Sequence, residues 1–164
     1  MSFKTMPPVG VPEDDMRRLR RLALHAMKDA DPIARFLLTE LDRAQIYDAG
    51  NVPDDIVRIN HWVTFRVSGA EQVESRILAL PEDCLNSGLH LSVISPTGAA
   101  LLGLRPGTEM TYLDDDGRAQ TASVVSLQPP GNISFFRPGL KKPATRSASQ
   151  FDSSPDPDPG PSAA

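Results

Sequence analysis

The chain has one cysteine, Cys84, in 164 residues, so no disulfide can form within it. Its histidines are also few: His25, His61 and His90 lie far apart and give no zinc-ligand spacing with Cys84. No apolar run approaches the roughly 20 residues that span a bilayer. The segment Met1–Gly10 carries a single lysine and no apolar signal-peptide core. A phosphate loop, a dinucleotide-binding glycine pattern and a nucleophile elbow are all missing. There is no basic excess either. The net charge is −4 and the pI about 5.3, which argues against a protein that holds bare nucleic acid by neutralising phosphates. These absences point to a cytoplasmic protein in a reducing compartment, off the membrane, with no metal, no cofactor and no strong direct nucleic-acid binding. Protein partners stay open.

What is present is a change of period along the chain. Residues 1–12, with Pro7, Pro8, Gly10 and Pro12, read as a flexible leader. From Glu13 the apolar residues Met16, Leu19, Leu22, Ala23, Ala26 and Met27 recur at helical spacing. Pro12 suits the first turn, and Glu13, Asp14 and Asp15 meet the positive end of the helix dipole. Lys28–Asp31 breaks the pattern. Asp31-Pro32 then reads as an N-cap followed by proline at the first helical position, and Ile33, Phe36, Leu37, Leu41 and Ala44 form a second stripe that ends before Gly50. Two short helices joined by a tight turn bury both stripes by pairing antiparallel. Residues 13–50 are therefore expected to be a short helical hairpin, or coiled coil, with its tip at Lys28–Asp31.

Beyond a linker at 51–55 the period becomes two. Strands are expected over Trp62–Val67, Val73–Leu80 (with Val73, Ser75, Ile77 and Ala79 on one face), Glu109–Leu113 and Ala119–Leu127. Ser95-Pro96 opens a short helix over Thr97–Leu102, which Gly103 stops. The expected class is α+β: a helical hairpin, then an antiparallel β-sheet domain with one short helix over 51–137. Ile133, Phe135 and Phe136 could pack on that domain. The proline- and serine-rich stretch 138–164 is too poor in apolar surface to order itself and reads as a disordered tail.

The chemical candidates are modest. Asp114, Asp115, Asp116 and Gly117 lack the spaced ligands of a calcium loop and read as a charged hairpin turn. Ser92, Ser95 and His90 are close in sequence, but a hydroxyl capping the helix after Pro96 explains them better than a nucleophile does. Cys84 has no basic neighbours in sequence to make a thiolate. Arg17, Arg18, Arg20 and Arg21 form either a solvated helix face or a basic contact face. Asp29 and Asp31 at the hairpin tip either serve the turn or could hold a divalent cation in another protein's active site.

Three stretches carry a family resemblance: Leu41-Asp42-Arg43-Ala44-Gln45, Val63-Thr64-Phe65-Arg66, and the long run from Leu91 to Gly107 with its capped helix, glycine stop and Pro-Gly turn. Over about residues 13–127 the chain resembles the bacterial transcript-cleavage factors GreA and GreB, and among them the regulators of nucleoside diphosphate kinase (Rnk). The resemblance implies an FKBP-like C-terminal domain that holds the rim of the RNA polymerase secondary channel, with Ser95, Pro96 and Thr97 in the contact. It implies a monomeric, non-catalytic regulator without cofactor or metal, and an indirect link to nucleoside diphosphate kinase. The hairpin is much shorter than the coiled coil of the cleavage factors, so Asp29 and Asp31 are not expected to reach the polymerase metal. Two other readings stand beside this one: a true cleavage factor using those carboxylates, and an FKBP-like peptide-binding module, for which Trp62, Phe65 and Tyr112 offer few aromatics.

Overall fold

A computed structural model of the chain describes residues 6–131. The stretch 132–137, whose packing the sequence leaves open, and the tail 138–164, expected to be disordered, lie outside the described residues.

The first departure from expectation is at the leader. Gly10–Pro12 forms a strand, β1, paired in parallel with a second short strand, Gln45–Tyr47. Val9 and Val11 are fully buried, and the Gly10 amide donates to the Gly103 carbonyl at 3.0 Å. A parallel pair joins segments far apart in sequence, so no hairpin turn announces it. The surrounding prolines also mask three residues of strand.

Between those strands lie the two helices. Helix α1 spans Glu13–Ala26, with Pro12 as its extended N-cap rather than its first helical residue, and it buries Met16, Leu19 and Ala23. A short 3₁₀ turn, Met27–Asp29, and Ala30 in the left-handed region reverse the chain. Helix α2 spans Pro32–Arg43 and is capped as the sequence predicts: Asp31 Oδ1 accepts from the Ile33 amide at 2.8 Å, and Pro32 is at the first position. It ends at Arg43 and not near Gly50, because Ala44 turns extended and Gln45–Tyr47 (β2) pairs with β1. Arg20 and Asp42 tie the two helices together on the outside, at 2.6 Å.

Five strands form the second sheet: β3 (His61–Val67), β4 (Glu74–Ala79), β5 (His90–Ser92), β6 (Glu109–Leu113) and β7 (Ala119–Ser126). Their order is β5-β4-β3-β7-β6. The sheet is mixed, which corrects the antiparallel expectation: β5 pairs with β4 in parallel, through Leu78 opposite Leu91. The linking segment 80–89 crosses back over the strand end and allows that direction. Burial in β4 is set by position along the strand: Leu78, Ala79 and the following Leu80 are buried, whereas Val73 is exposed and Ile77 only half-buried. Helix α3, Pro96–Leu101, lies against β6 and β7. One continuous hydrophobic core joins Leu19, Ala23, Leu37 and Leu41 of the helices to Val63, Leu78, Leu101 and Val124 of the β-domain.

Candidate functional site

The start of α3 is built from local rules. Ser95 is extended, its Oγ accepts from the Gly98 amide at 3.0 Å, and the same hydroxyl donates to the Ser92 carbonyl at 2.6 Å. Its hydroxyl is therefore a cap, engaged twice by backbone. Pro96 follows in the first turn, where its missing N–H costs nothing. Gly98 is required by close approach: a Cβ there would lie 2.0 Å from the Ser92 carbonyl oxygen. Thr97 shares a hydrogen bond of 2.8 Å with the hydroxyl of Tyr112.

Pro96 lies on one wall of a cleft of about 330 Å³. Ile33 and Phe36 of α2 form a second wall, and Tyr112, Leu113, Asp114 and Asp115 from the β6–β7 hairpin form the third. The lining is mainly apolar, with Asp114 and Asp115 as its charged residues. Burial pushes the Tyr112 phenol above its ordinary range, against the opposing effect of its bond to Thr97. Asp114 is held below the usual carboxylate range because it accepts from the Arg118 and Asp116 amides and from Gln120. Asp114 thus carries its charge more firmly than an ordinary carboxylate. The triplet is a structured hairpin turn, with Gly117 at φ +73°.

The tip of the helix pair is different. Asp31 is engaged as a cap, leaving Asp29 as the exposed carboxylate of the turn. Leu24 and Met27 are exposed beside it, so the tip is as apolar as it is acidic. The four arginines of α1 do not act as one face. Arg17 pairs with Glu13 and Arg20 with Asp42, both at 2.6 Å. Arg18 and Arg21 instead face a groove shared with Leu80 and Glu82.

The remaining candidates are structural in their contacts. His61 Nδ1 lies 2.9 Å from the Ile59 carbonyl and His90 Nδ1 3.2 Å from that of Asn86. Burial pushes the Cys84 thiol up, away from thiolate. Among the described residues no cluster of His, Cys, Asp or Glu could hold a metal ion. Sequence reasoning missed Glu40, whose buried carboxylate accepts from Arg43 Nε at 3.1 Å and from Arg43 Nη2, while Arg43 Nη1 donates to the Pro7 carbonyl at 2.6 Å. The (i, i+3) spacing of Glu40 and Arg43 was the available signal. Nothing local marked it as the clasp that holds the segment before β1.

A helical unit clasped to a small mixed-sheet domain with a serine-capped Pro96 helix is the architecture of the GreA/GreB class, and the comparisons divide the chain at the same place. Residues 7–46 match the family model "Rnk N-terminus", and residues 52–129 match "Transcription elongation factor, GreA/GreB, C-term". The chain belongs to the GreA/GreB family, in the branch of the regulators of nucleoside diphosphate kinase. It is 35% identical to the regulator of nucleoside diphosphate kinase of Escherichia coli K12 over 122 residues, covering 74% of this chain and 90% of that one. The transcription elongation factor GreA of Roseiflexus castenholzii is 39% identical over 88 residues, which is 54% of this chain and 55% of that factor. Among solved structures, a prokaryotic transcription elongation factor GreA/GreB from Nitrosomonas europaea superposes with a TM-score of 0.58 at 30% identity, over 72% of this chain and 97% of that one. No described helix is long and apolar enough to cross a membrane.

Proposed function

We propose that the protein is a non-catalytic regulator of transcription that binds RNA polymerase at the rim of the secondary channel and competes there with longer cleavage factors. The contact is made by Ser95, Pro96 and Thr97 and the cleft beside them. The helix hairpin points its tip inward from that anchor, and the link to nucleoside diphosphate kinase is an indirect effect on transcription. The observation that carries this reading is length. At 1.5 Å per residue, the 14 residues of α1 span about 21 Å, and both helices are partly consumed by the shared core. A tip so close to its anchor, with one free carboxylate, cannot bring a pair of metal ligands deep into a channel.

The test is co-elution with core RNA polymerase, alone and with a GreA-type factor as competitor. Binding that the competitor displaces, and that Pro96→Asp weakens about tenfold or more through a charge buried in the contact, supports the reading. Failure to bind at micromolar concentrations removes it. A stalled elongation complex that releases short 3′ RNA on adding the protein would instead establish the cleavage-factor reading through Asp29.

A further inference from the structure

The groove beside α1 stands apart from the Pro96 cleft. Arg18, Arg21 and His25 follow one another at steps of three and four along α1, so they share a face. Leu22 and the buried Leu80 form an apolar floor, and Glu82 stands on the opposite wall. The groove encloses about 320 Å³. Of the four arginines on this helix, Arg17 and Arg20 are neutralised by Glu13 and Asp42. Among the described residues, no carboxylate ion-pairs with Arg18 or Arg21. Two guanidiniums without a direct ion pair among the described residues, Arg18 feeling Asp15 only at longer range, thus border an apolar strip on a chain whose net charge is −4.

We infer that this groove is a docking surface for an acidic, amphipathic protein segment, one with two carboxylates a helical turn apart and an apolar side chain between them. Each carboxylate meets a guanidinium in the fork geometry that arginine favours. The apolar side chain covers Leu22 and Leu80. A nucleic acid fits the groove worse: two cations offer little phosphate neutralisation, Glu82 opposes a continuous polyanion, and no aromatic lines the groove for a base to stack on. The inference does not depend on the polymerase reading.

The experiment is an NMR titration of the full chain with three probes: a synthetic helical peptide with two glutamates a turn apart around a leucine, the same peptide with glutamines, and an oligouridylate. The glutamate peptide is expected to shift the His25 and Leu80 signals saturably, and the glutamine peptide to leave them in place. Arg18→Glu with Arg21→Glu should weaken the peptide by about tenfold or more, with the circular dichroism of the variant confirming its fold. Glu82→Gln, which removes the opposing charge, should tighten it. A larger response to the oligouridylate would make the face a nucleic-acid contact and overturn the inference. So would equal responses to the two peptides, or no response to any probe at millimolar concentration.

Discussion

The two-helix unit and the five-stranded sheet reach stability by different routes. The sheet is built from two local hairpins that the long-range pairing of β3 with β7 joins. β3 pairs with β4, and β6 with β7, across short turns at Gly69 and Gly117, both of which have positive φ. The helix unit is held by partners distant in sequence. The Gln45 amide donates to the Val9 carbonyl, Gly10 to Gly103, and Arg43 to Pro7, while Arg105 reaches both Asp55 and the Tyr47 hydroxyl. Helix α1 buries only three residues. Isolated helices of this length are marginal in water, so the pair depends on the sheet for a surface to cover. The two segments matched by separate family models therefore behave as one body, with the Pro96 cleft and the arginine groove both formed where helices meet sheet.

Three changes break or sharpen that contrast. Gly98→Ala acts inside the sheet domain and should be the most damaging. Its Cβ meets the Ser92 backbone, which is part of β5 and cannot swing away. A loss on the order of 4 kcal/mol or more in urea unfolding is expected, along with loss of the Pro96 cleft. Leu37→Ala removes a fully buried side chain of α2 and should cost about 2–5 kcal/mol. Helical and sheet probes should still unfold in one transition. Separate midpoints would show the helix unit to be autonomous and would end the one-body account.

Asp15→Asn has the smallest effect, and it reads the seam itself. Burial raises the Asp15 carboxyl above its ordinary value, more than Arg18, His61 and Arg58 lower it. With the folded value raised, the folded chain keeps a proton that the unfolded chain has already released. Stability is therefore greater in acid and is lost as pH rises through that window. The asparagine variant lacks this decline. Relative to the parent it should gain a little at neutral pH, under about 1 kcal/mol for so accessible a site, and nothing in acid. A gain that persists in acid would place its origin elsewhere.

Both helices, the Asp31 cap, the tight turn after Ala26, the Ser95 cap and four of the five strands of the larger sheet were legible. Each rests on a signal within a few residues: a cap, a proline, a glycine turn or a period. Strands β1 and β2 were not. Their pairing joins the two ends of the helix unit, and each offers three residues with no turn between them. The parallel direction of β5 escaped for the same reason. Of the candidate site, Ser95, Pro96 and Thr97 were singled out by resemblance. Their neighbours Ile33, Phe36 and Tyr112 read only as helix stripe and strand, because nothing in a linear pattern says which stripe residues stop at a cleft instead of continuing into the core.

By itself the amino-acid sequence determined what is local and compositional: helices of a few turns, a serine-capped helix start at 95–98, a single thiol that excludes an internal disulfide, and a family. Tertiary structure decided what depends on distance. It recruited Val9 and Val11 into the core, buried Glu40 against Arg43, and divided the four arginines of α1 into two with direct ion pairs and two that border a groove. The physical reason is that ion pairing and burial are fixed by neighbours in space. On α1 the Arg17–Glu13 pair is local, but Arg20 finds Asp42 on α2 and Arg18 and Arg21 border Leu80 and Glu82 beyond the end of β4, neighbours that the order of residues along α1 does not show.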